Sequence, residues 1–166
     1  MSGIKSFHWR ALLGFQLSWF ALVIWQAQAL LPVLLYWLYG FWCLDKKRRL
    51  AVLLITVAGV LLDSVLTLFD VLSFTGSEQL PLWFVMLWAL FALAAVEFMA
   101  SVLTRPWLAA LLGASGGPLS YWSGAALSGG ALIFPSPQLS LLVLVTSWAL
   151  IAIALGQSRR LYVETP

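Results

Sequence analysis

No charged residue occurs between Arg10 and Asp45. A spanning helix needs about 20 apolar residues, within a range of about 17–25, so this stretch is too long for one crossing and suits two short ones. The chain is expected to reverse near Ala27–Pro32, with Pro32 in the first turn of the second helix, where its missing N–H costs nothing. That helix, Leu31–Leu44, is short for a full crossing. It either sits in a thinned bilayer or belongs to a re-entrant hairpin.

The same punctuation continues down the chain. A third helix is expected over about 50–69, carrying Asp63, followed by a polar loop, Asp70–Leu80, that ends at Pro81. A fourth covers about 82–103 and carries Glu97, and Thr104-Arg105-Pro106 turns the chain into a fifth over about 107–131. Phe134-Pro-Ser-Pro137 breaks it, and a sixth runs over about 138–155 to Gly156. With the first at about 11–27, the reading is a single all-α membrane domain of six transmembrane helices. The composition agrees: 9% of residues are charged, against about 25% in soluble domains. A β-barrel would show alternating segments of roughly ten residues, and these runs are continuous.

The nine basic residues orient the chain. Lys5, Arg10, Lys46, Lys47, Arg48, Arg49, Arg105, Arg159 and Arg160 all fall on one side of six helices, and the other side holds Asp70 and Glu78. The positive-inside rule then places both termini in the cytoplasm. The net charge of +3 is spent on orientation and is no nucleic-acid signal. Trp9, Trp42 and Trp107 at one set of ends, and Trp25 and Trp83 at the other, read as interfacial belts. Trp19, Trp37, Trp88, Trp122 and Trp148 lie deeper and read as packing or lipid contact. No cleavable signal peptide is expected, because Trp9–Leu31 is long, carries Gln16, Gln26 and Gln28, and lacks a small-residue cleavage site.

Two acids lie within apolar helices, where an ionised carboxylate needs a partner or water. At 1.5 Å of rise per residue, Asp63 stands roughly 20 Å in from Leu50 and Tyr121 roughly 21 Å in from Trp107. Asp63, Ser64 and Thr67 can therefore meet Ser120, Tyr121 and Ser123 at one level. Glu97 stands only roughly 9 Å from Leu103, so it is not expected to touch Asp63. Three readings of Asp63 stay open: a hydrogen-bonded packing group, a proton- or substrate-binding carboxylate of a small transporter, and a catalytic acid or base.

The stretch Ala109–Gly130 is unusually rich in small residues and reads as the central helix. Ala109, Gly113 and Gly117 form one small-residue line, and Gly116, Ser120, Gly124 and Ser128 form a second. Such lines let another helix backbone approach closely. Pro118 clashes with the carbonyl of Ala114, so a kink or break is expected there. Catalytic signatures are weak. His8 reads as an interfacial residue, Cys43 as a lone thiol, and one His, one Cys and two acids at different depths assemble no metal site. No cofactor is implied.

Phe15-Gln-Leu-Ser-Trp19, Gly59-Val-Leu-Leu-Asp63-Ser64, Pro81-Leu-Trp83, Leu87-Trp-Ala-Leu-Phe-Ala92 and Gly117-Pro-Leu-Ser-Tyr121 with Gly124 stand in that order over nearly the whole chain. In these stretches the chain resembles the domain of unknown function 2878 family of small proteobacterial inner-membrane proteins. The resemblance implies a six-helix inner-membrane protein and, from the lipid-modifying enzymes encoded near such proteins, a link to membrane lipids. It carries over to Asp63, Pro118 and Tyr121 rather than to Glu97. The expectation is a non-catalytic protein holding an apolar or lipid-like ligand around the fifth helix, at Asp63, Ser64, Gly117, Pro118, Ser120, Tyr121 and Glu97. Its expected partners are membrane lipids, a membrane enzyme or a second copy, and no nucleic acid. The alternative is a small proton-coupled transporter using Asp63.

Overall fold

The computed structural model describes residues 5–162, with side chains from residue 11 onward. The side chains of Lys5, His8, Trp9 and Arg10, used above for orientation and interfacial placement, lie outside the described set. The chain is almost entirely helical: α1 Lys5–Trp25, α2 Leu30–Cys43, α3 Lys46–Leu68, α4 Leu82–Val102, α5 Pro106–Leu127 and α6 Pro137–Tyr162. Four stretches, Ala11–Cys43, Lys46–Leu68, Leu82–Val102 and Pro137–Tyr162, are long and apolar enough to cross a membrane. The first of them doubles back. Gln26 takes a left-handed conformation with φ 46°, which few non-glycine residues adopt, and a 3-10 turn over Gln26–Ala29 leads into α2. Tyr36 consequently packs on Gly14, and Trp37 Nε1 donates to Ala89 O at 2.9 Å.

Local chemistry fixes the other ends. Asp45 caps α3, its Oδ1 accepting from Arg48 N at 3.0 Å. Arg49 satisfies open carbonyls at the end of α2, donating to Leu44 O at 2.8 Å and Trp42 O at 2.6 Å. Pro106 occupies the first turn of α5. The sixth helix runs past Gly156, the expected stop, to Tyr162. Gly156 serves close approach instead: a Cβ there would overlap the carbonyl of Leu103. Helix α5 is helical throughout, with Pro118 inside it and no break.

Two expectations are corrected. The central helix is α4, not α5. Between Trp83 and Val96 almost every α4 residue is buried, because a helix apolar all round must be covered all round. Helix α5 buries Ala109, Gly113, Gly117, Pro118, Tyr121 and Gly124 and turns Leu111, Leu112 and Leu119 outward. The Asp70–Leu80 segment is only partly a polar loop. Val71, Leu72 and Phe74 enter the core, and Ser73–Phe74 pairs antiparallel with Leu132–Ile133. A turn of π-helix over Ala95–Met99 interrupts α4 and carries Glu97.

Successive helices run antiparallel, so the links divide between two ends. Gln26–Ala29, 69–81 and 128–136 lie at one end. Asp45 and 103–105 lie at the other, with the side chains of Lys46–Arg49, Arg105, Arg159 and Arg160.

Candidate functional site

Asp63 is fully buried, with an exposure of 0%. The Tyr121 hydroxyl on α5 donates to it, lying 2.8 Å from Oδ1 and 2.7 Å from Oδ2. Trp88 Nε1 on α4 donates to Oδ2 at 2.5 Å. One carboxyl group thus ties three helices together, with one O–H and one N–H donor on its oxygens. Gly59, one turn before Asp63, makes room for this: a Cβ there would overlap the Trp88 ring. Trp88 in turn stacks on Trp148 of α6, with ring centroids 5.4 Å apart and planes 9° apart. Tyr121 meets Trp148 edge-on at 6.1 Å. Trp148 Nε1 is buried close to the Tyr121 hydroxyl, though without hydrogen-bond geometry to it.

The structure separates the remaining sequence candidates. Gly117, with Gly113, faces Trp148, and a Cβ on either would overlap that residue. This is the close approach predicted from the first small-residue line, and α6 is the helix that makes it. Pro118 is buried beside it. Ser64 turns away from the site and donates to Val60 O at 2.7 Å on an exposed face. Glu97 belongs to a different neighbourhood, where the charge of Arg48 bears on it and its own charge bears on Tyr36. Among the described residues, no group of three His, Cys, Asp or Glu converges.

The second small-residue line is open at Gly116 and closes toward Gly124, where Trp19 of α1 lies 4.0 Å from the position of a Cβ. A Cβ on Gly116 would meet nothing within 4 Å. In front of Gly116 and Ser120 lies an apolar groove of about 330 Å³, bounded by Phe15 of α1, Phe98 and Met99 of α4, and Leu112 of α5. A smaller space of about 60 Å³ continues it toward Trp19, Trp83 and Gly124, sharing Phe15, Phe91, Ser120 and Trp148. From Leu112 to Gly124 the groove extends about 18 Å along α5. Tyr121 and Trp88 form part of its floor, and Asp63 sits beneath them, outside the lining. The sequence reads Trp88 and Trp148 only as deep packing or lipid-contact residues, without tying them to Asp63 or Tyr121. The depth argument would have reached Trp88, which stands about 9 Å in from Leu82, as Asp63 does from Phe69.

These features define an all-helical chain whose apolar helices fit a membrane protein, with a buried carboxyl knot under an apolar groove. The family model described as Protein of unknown function (DUF2878) matches residues 8–154, and the chain belongs to that family. No curated protein and no solved structure matches the chain.

Proposed function

We propose that the chain is a six-span inner-membrane protein that holds a lipid acyl chain in the groove between α4 and α5, without itself catalysing a reaction. The observation that carries this reading is the groove. It is almost wholly apolar, it is opened by Gly116 and Ser120 instead of being filled by a helix, and α1, α4 and α6, which line it together with α5, are of membrane-spanning character. Inside a bilayer, the medium available to fill such a groove is acyl chain. The Asp63–Tyr121–Trp88 knot then acts as a support, holding three helices and the groove floor in place. Membrane lipids are the partner on this reading, and a lipid-modifying membrane enzyme or a second copy is the natural recipient or neighbour.

The six-span count is supported by six antiparallel helices. The cytoplasmic placement of both termini is supported by the collection of Lys46–Arg49, Arg105, Arg159 and Arg160 at one end, with Asp70 and Glu78 at the other. A second reading, proton-coupled transport through Asp63, draws on that residue's place at the junction of three helices, and it requires water to reach the carboxyl group. Cysteine accessibility along Leu62–Leu66 tests it, since inaccessibility from both sides excludes transport.

The groove is tested by Gly116→Phe. Gly116 borders open space, so the ring fits without disturbing the fold and fills the groove. A phospholipid with a photoactivatable acyl chain should crosslink to Phe15, Leu112 and Ser120 in the wild type and lose those crosslinks in Gly116→Phe. Equal crosslinking in both proteins refutes the assignment.

A further inference from the structure

The six helices form two bodies. In the first, α1, α2 and α3 all pack on α4. Trp37 of α2 donates to Ala89 O at 2.9 Å, Leu93 lies over Gly40 of α2, and Trp88 lies over Gly59 of α3. In the second, α5 and α6 pack chiefly on each other. A Cβ on Gly113 would overlap the Trp148 carbonyl and the Ala152 methyl. Glycine-lined contacts of this kind fix the spacing of the helices within each body.

The contact between the bodies is narrower. From the small sheet at the loop end to Tyr162 at the basic end, it follows one line along α4. Phe84 meets Tyr121 with ring centroids 5.8 Å apart, Trp88 stacks on Trp148, and Phe91 meets Trp148 at 5.0 Å. Beyond the last turn of α4, Gly156 lies against the Leu103 carbonyl. On one flank of this line is the groove of Gly116 and Ser120. On the other flank, between α3 and α6, clefts of about 430 Å³ and 270 Å³ meet at Leu54, Ile55 and Ser158. Trp88 borders both the 60 Å³ space on the first flank and the 430 Å³ cleft on the second. Leu155 of α6 borders both the 330 Å³ groove and that same cleft. The two hollows are opposite sides of one partition.

The Asp63 knot lies at this partition and tolerates a small turn about it. The Tyr121 hydroxyl lies within reach of both carboxyl oxygens, so a turn exchanges one acceptor for the other. Ring faces slide over one another without stranding a polar group.

We propose that α5 and α6 rock on α4 as one body, so that widening either groove narrows the other. Helix shifts of about 1–2 Å carry packed elements between two arrangements. The two grooves are then negatively coupled: a guest between α3 and α6 shuts the α4–α5 groove, and a guest beside Gly116 shuts the α3–α6 groove. The movement stands on the packing alone, and only the identity of the guest rests on the acyl-chain reading above.

Spin labels at Leu17→Cys and Leu111→Cys, two exposed positions on α1 and α5, read the width of the α4–α5 groove. Cys43→Ser removes the native thiol from the full chain. Ala58 and Ala154 line the larger α3–α6 cleft from its two sides, so Ala58→Trp with Ala154→Trp wedges α3 from α6. Double electron–electron resonance in lipid nanodiscs should then show the Leu17–Leu111 distance shortened by about 1–2 Å. The lipid crosslinks that depend on Gly116 should fall about fivefold. The milder pair, Ala58→Leu with Ala154→Leu, keeps good helix formers in place and should shift the distance in the same direction by about half as much. An unchanged or lengthened distance in either folded variant overturns the proposal. Shortening without any crosslink in the wild type supports the rocking and overturns only the acyl-chain reading.

Discussion

The knot at Asp63 can be tested through its energetics. Tyr121→Phe removes the hydroxyl that reaches both carboxyl oxygens and leaves Trp88 as the remaining donor of those described above. Cross-helix hydrogen bonds in membranes average about 0.6 kcal/mol and reach about 1.7, and bonds to charged groups in soluble proteins reach about 1.5–3. The group is fully buried and both its oxygens are engaged, so Tyr121→Phe should cost about 2 kcal/mol. Asp63→Leu keeps the branched shape but puts bulkier methyl groups where the oxygens were and strands the Tyr121 and Trp88 donors, and should cost about 2–3 kcal/mol. The double variant removes donor and acceptor together. It should cost less than the two single changes added, with a coupling of about 1–2 kcal/mol. Reversible unfolding in dodecyl maltoside micelles titrated with sodium dodecyl sulfate, followed by circular dichroism, measures all four corners of the cycle. Independent sites add within about 0.3–0.5 kcal/mol. A coupling inside that margin would falsify the knot, even if both single variants are destabilised.

The two small-residue lines predict opposite signs in the same assay. Gly117→Ala forces a methyl into Trp148 and should lose about 1–3 kcal/mol, whereas Gly116→Ala meets open space and should gain about 0.5–1 kcal/mol from helix propensity. Equal effects at the two positions would remove the distinction between a packed line and an open one. For topology, periplasmic reporter activity is expected from fusions at Gly76 and Pro135 and cytoplasmic activity from fusions at Lys47 and Arg160; any reversal overturns the orientation.

Most helix ends were legible because their causes are local. Asp45, Pro81, Arg105 and Pro106 punctuate apolar runs, and capping or missing N–H groups act over one turn. The common level of Asp63 and Tyr121 was legible too, since depth follows from a constant rise. What escaped depends on which neighbour a residue meets. Helix α4 is uniformly apolar from Leu82 to Val96, so no periodicity announced that it is covered on every side, and the small residues of α5 drew the centre toward themselves. Those residues serve one close contact, with α6, and one opening, at Gly116, and composition does not distinguish the two. Gly156 read as a stop because a bare glycine near a basic run usually is one; its contact with Leu103 is visible only in three dimensions. Val71, Leu72 and Phe74 were hidden in a segment whose Gly76, Ser77 and Glu78 marked it as solvated. The π-turn around Glu97 left no mark in the residue types at all.

The small sheet at the loop end has a mechanical meaning. Thr75 N donates to Ala131 O at 3.0 Å, Gln26 Nε2 to Ser128 O at 3.0 Å, and Ser140 Oγ to Val71 O at 2.6 Å. The tips of all three helical hairpins are thereby laced to one another through the third. At the opposite end, a cluster built on Leu44, Val52, Leu93, Val96 and Tyr162 joins the helices through apolar surfaces, which slide more readily than hydrogen bonds break. A body laced at one end pivots there, like the spring of a clothes peg. On the proposal that a lipid chain enters the groove, the helices would part first at the basic end, and that end would set which leaflet supplies it.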